Sequence, residues 1–265
     1  MARIVSPEWV AERLNDSAFV TVDPRRPMKY LSGHLPGAIN VPMYKAFGAD
    51  GGLLAPDALA AFISGAGLGD GRSPILYDSP EGQNAAMLAW ILEYLGRRDI
   101  HVMGAFFESW KSSGREVLYK PVDAPAARFT AKTDASIRVT VDALRQSSGG
   151  VELIDFRSRE EFSGEKSMGD DQPGHIPGAI NLPWRELGSA PERMLKSREE
   201  LQRMLAEAGI EQSGGIIAYC RSGPRAALGY MALRELGYDV RLFDGSWAQW
   251  SKAGLPAEKS GGQTR

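Results

Sequence analysis

Residues 33–42 read Gly-His-Leu-Pro-Gly-Ala-Ile-Asn-Val-Pro, and residues 174–183 read Gly-His-Ile-Pro-Gly-Ala-Ile-Asn-Leu-Pro. A match of this length, separated by about half of the 265-residue chain, is a duplication. It restricts the chain to two copies of one architecture. Other features recur in the same register. Val22-Asp23-Pro24-Arg25 answers Ile154-Asp155-Phe156-Arg157, Leu95-Gly96 answers Leu236-Gly237, and Trp110 after Gly104 answers Trp250 after Gly245. Between the copies, Tyr119–Arg128 is rich in proline and small residues and carries no periodicity, as a linking segment should. The expected domains are therefore 1–124 and 125–265.

Within each copy, short apolar runs alternate with helical spacing. In the second copy Val151–Asp155, Gly215–Tyr219 and Val240–Phe243 read as buried strands, and Ser197–Ala208 and Pro224–Leu236 as helices. The first copy repeats the order with Val20–Asp23, Ile75–Tyr77 and Gln83–Leu95. Alternation of this kind predicts an α/β fold, each copy a mostly parallel sheet flanked by helices. Ligands of such sheets bind beyond the carboxyl ends of the strands.

Composition sets limits on function. With a formal net charge of −2, the chain has no global charge to attract nucleic acid or a membrane surface. No apolar stretch is long enough to span a bilayer, and the first residues lack the apolar stretch of a signal peptide. The chain's one cysteine excludes an intramolecular disulfide framework, so the expected compartment is the cytoplasm. Three scattered histidines and one cysteine supply no metal-ligand spacing, so neither metal nor cofactor is expected.

That cysteine, Cys220, follows the apolar run Gly215–Tyr219 and precedes Arg221, Ser222, Gly223, Pro224 and Arg225, where helical spacing begins. By itself a lone cysteine is a small buried hydrophobe. These neighbours point to a nucleophile, because cations and a helix N-terminus favour the thiolate form of a thiol. Gly223 allows a turn with its amides facing inward, and Pro224 suits the first turn of a helix. In the first copy the same position is Asp78, within Leu76-Tyr77-Asp78-Ser79-Pro80-Glu81-Gly82. A carboxylate cannot perform thiolate chemistry, so the first copy is expected to be catalytically silent.

The duplicated Gly-His-Ile-Pro-Gly-Ala-Ile-Asn motif, a cysteine loop in the second copy alone, and the closing Asp244-Gly245-Ser246-Trp247 resemble the two-domain rhodanese sulfurtransferases over nearly the whole chain. The resemblance implies two tandem rhodanese-like domains and a Cys220 thiolate that takes the outer sulfur of thiosulfate, releases sulfite and becomes a persulfide. The sulfur would pass to cyanide or to a thiol acceptor, including a thiol on a protein. The loop Arg221–Arg225 would stabilise the persulfide. Arg157, Arg221 and Arg225 would attract the anionic donor, with a salt bridge to Asp155 as the other role open to Arg157.

Two positions depart from the thiosulfate-using pattern: Glu161 stands where relatives commonly carry arginine, and Ser222 where they often carry lysine. The loop pattern Cys-Arg-x-Gly-x-Arg is closer to thiosulfate enzymes than to 3-mercaptopyruvate enzymes, which remain the alternative. A persulfide carrier or redox sensor without turnover is a second alternative. A rhodanese-fold phosphatase is disfavoured, because Arg225 comes five positions after Cys220 where those enzymes have arginine at six. His34 and His175 recur in both copies and are read as structural. Trp247 and Trp250 are read as core residues and Trp184 as a residue near the cleft mouth. Residues 164–171, without a counterpart in the first copy, read as an exposed insertion, with a lid as the other role open to them.

Overall fold

A computed structural model describes residues 2–125, 127–146, 150–188, 193–210 and 214–259. The chain divides into two compact units, Met1–Asp134 with Ser189–Leu195, and Ala135–Gly188 with Lys196–Arg265. Residues between the expected boundary near 125 and Asp134 thus belong to the first unit: Lys132 N–H donates to Leu95 O at 2.9 Å and Asp134 N–H to Tyr94 O at 2.8 Å. Met194, although it lies in the second half of the sequence, is buried in the first unit, with its N–H on Gly104 O at 2.8 Å.

The first unit contains strands β1 (Arg3–Val5), β2 (Phe19–Asp23), β3 (Ile39–Asn40), β4 (Ser73–Leu76) and β5 (His101–Met103). All pair in parallel, in the order β1-β5-β4-β2-β3. Its helices are α1 (Pro7–Ala11), α2 (Pro27–Leu31), α3 (Pro56–Gly65), α4 (Gln83–Tyr94) and α5 (Phe107–Ser112).

The second unit contains β6 (Val151–Asp155), β7 (Ile180–Asn181), β8 (Gly215–Tyr219) and β9 (Val240–Leu242), parallel in the order β7-β6-β8-β9. Its helices are α6 (Val141–Gln146), α7 (Arg159–Ser163), α8 (Arg198–Glu207), α9 (Pro224–Glu235) and α10 (Ser246–Lys252). Among the described residues, a parallel bridge from Arg138 to Leu242 stands where the first unit has a fifth strand.

Both units are parallel sheets flanked by helices, the architecture expected from the sequence. The central strand β8 is a continuous apolar run because it is buried on both faces, with Ile216, Ala218 and Tyr219 inaccessible to solvent. Helix α8 begins at a capping box in which Ser197 and Glu200 bond each other's backbone N–H. Helix α9 packs closely at Gly229 on the residue that follows β6, so that a Cβ there would collide with the outer edge of the Phe156 ring. Among the described residues, no helix is long and apolar enough to cross a membrane, and no cluster of His, Cys, Asp and Glu has metal-site geometry.

Candidate active site

Cys220 is the residue that leaves β8. Its side chain is buried, 1 % exposed, at the carboxyl end of the sheet. The chain turns through Arg221, Ser222 and Gly223, and Pro224 opens α9 at a position where a missing N–H is harmless. Gly223 has φ 104°, a region that side chains disfavour. This turn aims the Gly223 N–H back at Cys220 Sγ, 3.2 Å away. The backbone of Cys220 is gripped on both sides. Its N–H donates to Ser246 Oγ at 3.1 Å, and its carbonyl accepts from Trp247 N–H at 3.0 Å. Arg221 O accepts from Ala248 N–H at 3.0 Å. Ser246 has φ 53°, the left-handed conformation in a residue other than glycine, and its hydroxyl donates onward to Phe243 O at 2.8 Å.

The arginines expected around the sulfur each have a carboxylate partner. Arg225 donates to both oxygens of Glu161, at 2.6 and 2.9 Å. Burial disfavours the Arg225 charge, but Glu161 and the nearby Cys220 outweigh it and raise its affinity for the proton. Burial likewise pushes the Glu161 carboxyl up, and the Arg225 bonds more than offset this, so it sits below its usual range. Glu161 also completes the capping box of α7, accepting from Ser158 N–H. Arg221 donates through Nε to both oxygens of Asp170, at 3.0 and 3.2 Å, and through a terminal nitrogen to Met168 O at 3.0 Å. The insertion 164–171 is thus mostly exposed, yet one of its side chains is buried against the cysteine loop: that of Asp170 is 8 % exposed.

Of the two roles open to Arg157, the geometry realises the salt bridge. Its guanidinium makes a bidentate pair with Asp155, the shortest contact 2.6 Å, donates to Gly174 O at 2.8 Å and lies over Trp247 at 4.7 Å. Only 2 % of it is exposed, so it does not face a solvent-filled mouth. The first unit repeats the arrangement without a cysteine: Arg25 pairs with Asp23 at 2.6 Å, donates to Gly33 O at 2.7 Å and lies over Phe107 at 4.2 Å. An arrangement present in both copies belongs to the fold.

Asp78 fills in the first unit the place that Cys220 fills in the second. Its oxygens accept from the N–H groups of Ser79, Asn84 and Ala85 at 2.8, 2.8 and 3.1 Å, and from Asn84 Nδ2 at 3.2 Å. Burial nevertheless pushes the carboxyl up to about 6. The histidines of the repeated motif tie it to the preceding helix. His34 Nδ1 lies 2.9 Å from Tyr30 O, and His175 Nδ1 lies 2.8 Å from Phe162 O, each ring stacked on that aromatic residue. Trp247 and Trp250 are buried in the core of the second unit, and Trp184 is half-buried under Arg185.

A duplicated parallel α/β unit, with a thiol at the end of the central strand in one copy and a carboxylate there in the other, defines a two-domain protein with one cysteine loop. The model of the rhodanese-like domain family matches residues 6–113 and again 140–253, and the chain belongs to that family, in its tandem sulfurtransferase form. A protein of Corynebacterium glutamicum named thiosulfate sulfurtransferase is 30% identical, over 94% of this chain and 87% of its own length. The sulfur carrier protein TtuD of Thermus thermophilus is 29% identical, over 97% of this chain and 96% of its own. Among solved structures, SseA from Escherichia coli, described as a 3-mercaptopyruvate sulfotransferase, has a TM-score of 0.84 and 27% identity, covering 93% of this chain and 99% of that one.

Proposed function

We propose that this chain moves the sulfane sulfur of thiosulfate to cyanide or to a thiol acceptor through a persulfide on Cys220. Cys220 Sγ⁻ attacks the outer sulfur of thiosulfate. The bond from Cys220 to that sulfur forms, the S–S bond of the donor breaks, and its electron pair leaves with sulfite. The single negative charge of the thiolate is carried over to the persulfide, so the step needs no proton and no external oxidant. Attack on the persulfide by cyanide or a thiolate returns Cys220 and releases thiocyanate or a new persulfide.

The observation that carries this reading is the replacement of the hydrogen-bonded Asp78 carboxylate by a thiol with an amide aimed at its sulfur. The cysteine loop aims an amide at the sulfur, and of the two units the second alone has a nucleophile at this place. The name of the Corynebacterium relative favours thiosulfate as donor. The first unit takes no part in the chemistry, and a reducing, cytoplasmic setting would keep the Cys220 thiol free of disulfides between turnovers.

Intact-mass spectrometry after incubation with thiosulfate tests this reading. One added sulfur on the wild type, absent from Cys220→Ala, is the expected result, and no addition from thiosulfate or 3-mercaptopyruvate overturns it. The name of the Thermus relative and the burial of Cys220 favour a second reading, a carrier loaded by a partner protein. Steady thiocyanate formation from thiosulfate and cyanide distinguishes the enzyme from the carrier.

A further inference from the structure

We propose that Glu161 is a charge filter on the sulfur donor: its carboxylate, gripping Arg225 in the cysteine loop, raises the KM for thiosulfate, a dianion, more than the KM for a singly charged donor. This rests on Cys220 being the sulfur-accepting thiolate. The donor must approach Cys220, and Arg225 lies in the first turn of α9, the helix that the cysteine loop opens. Both outer nitrogens of Arg225 are already taken by Glu161, in a bidentate pair whose side chains are 19% and 7% exposed. The other arginine of the loop is closed by Asp170, and Arg157 by Asp155. Each of these guanidinium charges is offset by a carboxylate, so neither loop arginine is left unpaired to meet an incoming anion.

Coulomb repulsion from a fixed carboxylate is linear in the charge of the approaching ion, so it acts twice as strongly on a dianion as on a monoanion. Removing that charge therefore raises the affinity for a dianion by the square of its effect on a monoanion. The matched probes are thiosulfate and methanethiosulfonate, in which a methyl group replaces one charged oxygen. Each gives up its outer sulfur to Cys220 by the same bond exchange, one releasing sulfite and the other methanesulfinate.

Thiocyanate formation with each donor at saturating cyanide, in the wild type and Glu161→Gln, tests the filter. Gln keeps an oxygen for Arg225 and satisfies a capping box as Glu does, so α7 keeps its start. The expected result is a fall in KM with kcat little changed, about tenfold for thiosulfate where methanethiosulfonate gains about threefold. Glu161→Asp, which keeps the charge, should retain the wild-type preference. Glu161→Ala should shift the donor ratio as Gln does, because loss of the cap weakens both donors alike. Equal changes for the two donors in both neutral variants, or changes confined to kcat, overturn the filter and leave Glu161 as a positioning residue. If neither donor adds sulfur to wild-type Cys220, the sulfur-transfer reading itself fails.

Discussion

The hydroxyl of Ser246 accepts the Cys220 N–H at 3.1 Å and donates to Phe243 O at 2.8 Å, so one side chain joins the start of the cysteine loop to the end of β9. Ser246 is fully buried and holds φ 53° to do so. The nucleophile's position is therefore set from two strands, β8 and β9. Ser246→Ala strips the partner from a buried N–H, which costs about 1–3 kcal/mol. Urea denaturation should show that loss, together with slower loading of sulfur onto Cys220. Unchanged stability would mean that the amide finds another acceptor.

The Asp78 carboxyl, pushed up to about 6 by burial, makes stability depend on pH in an unusual direction for an acid. Below its ordinary value of 3.8 it is protonated in both the folded and unfolded chain and carries no penalty. Between 3.8 and about 6 the unfolded chain ionises first, so stability falls as pH rises, by about 3 kcal/mol in total. The difference in unfolding free energy between wild type and Asp78→Asn should change by that order between pH 4 and 7. A pH-independent difference would refute the assignment.

Arg157 and Arg25 provide a matched pair of substitutions. Arg157→Met leaves Asp155 buried without its partner, at a cost of about 3–5 kcal/mol, and Arg25→Met should do the same to Asp23. Comparable losses in thermal unfolding would identify both as supports of the strand end. A selective rise in KM for thiosulfate in Arg157→Met, with stability intact, would restore the substrate-binding role.

At Gly229 helix α9 meets Phe156, the residue between Asp155 and Arg157. Gly229→Ala forces the ring aside and should cost about 1–3 kcal/mol by overpacking, despite the better helix propensity of alanine. Calorimetry would show a lowered unfolding temperature. A gain in stability would mean that the ring rotates freely.

Sequence patterns are local, and what they revealed is local. The apolar runs at Val151–Asp155 and Gly215–Tyr219 are β6 and β8, and Ser197 is the N-cap of α8, because continuous burial and capping chemistry write themselves into neighbouring residues. The two-residue strands β3 and β7 lie within the repeated motif and are too short to show a period. The duplication, the α/β class and the asymmetry between Cys220 and Asp78 were determined by the sequence alone. What the tertiary structure decided was where the charges cancel. The sequence marks Glu161 as an absent positive charge, whereas in the fold it is a negative charge placed on Arg225, its partner across 64 positions of sequence. Asp170 closes Arg221 across 51 positions, and Ser246 reaches back to Cys220 across 26. No short-range pattern encodes such pairings, because packing and burial select each partner only once the strands have brought their ends together.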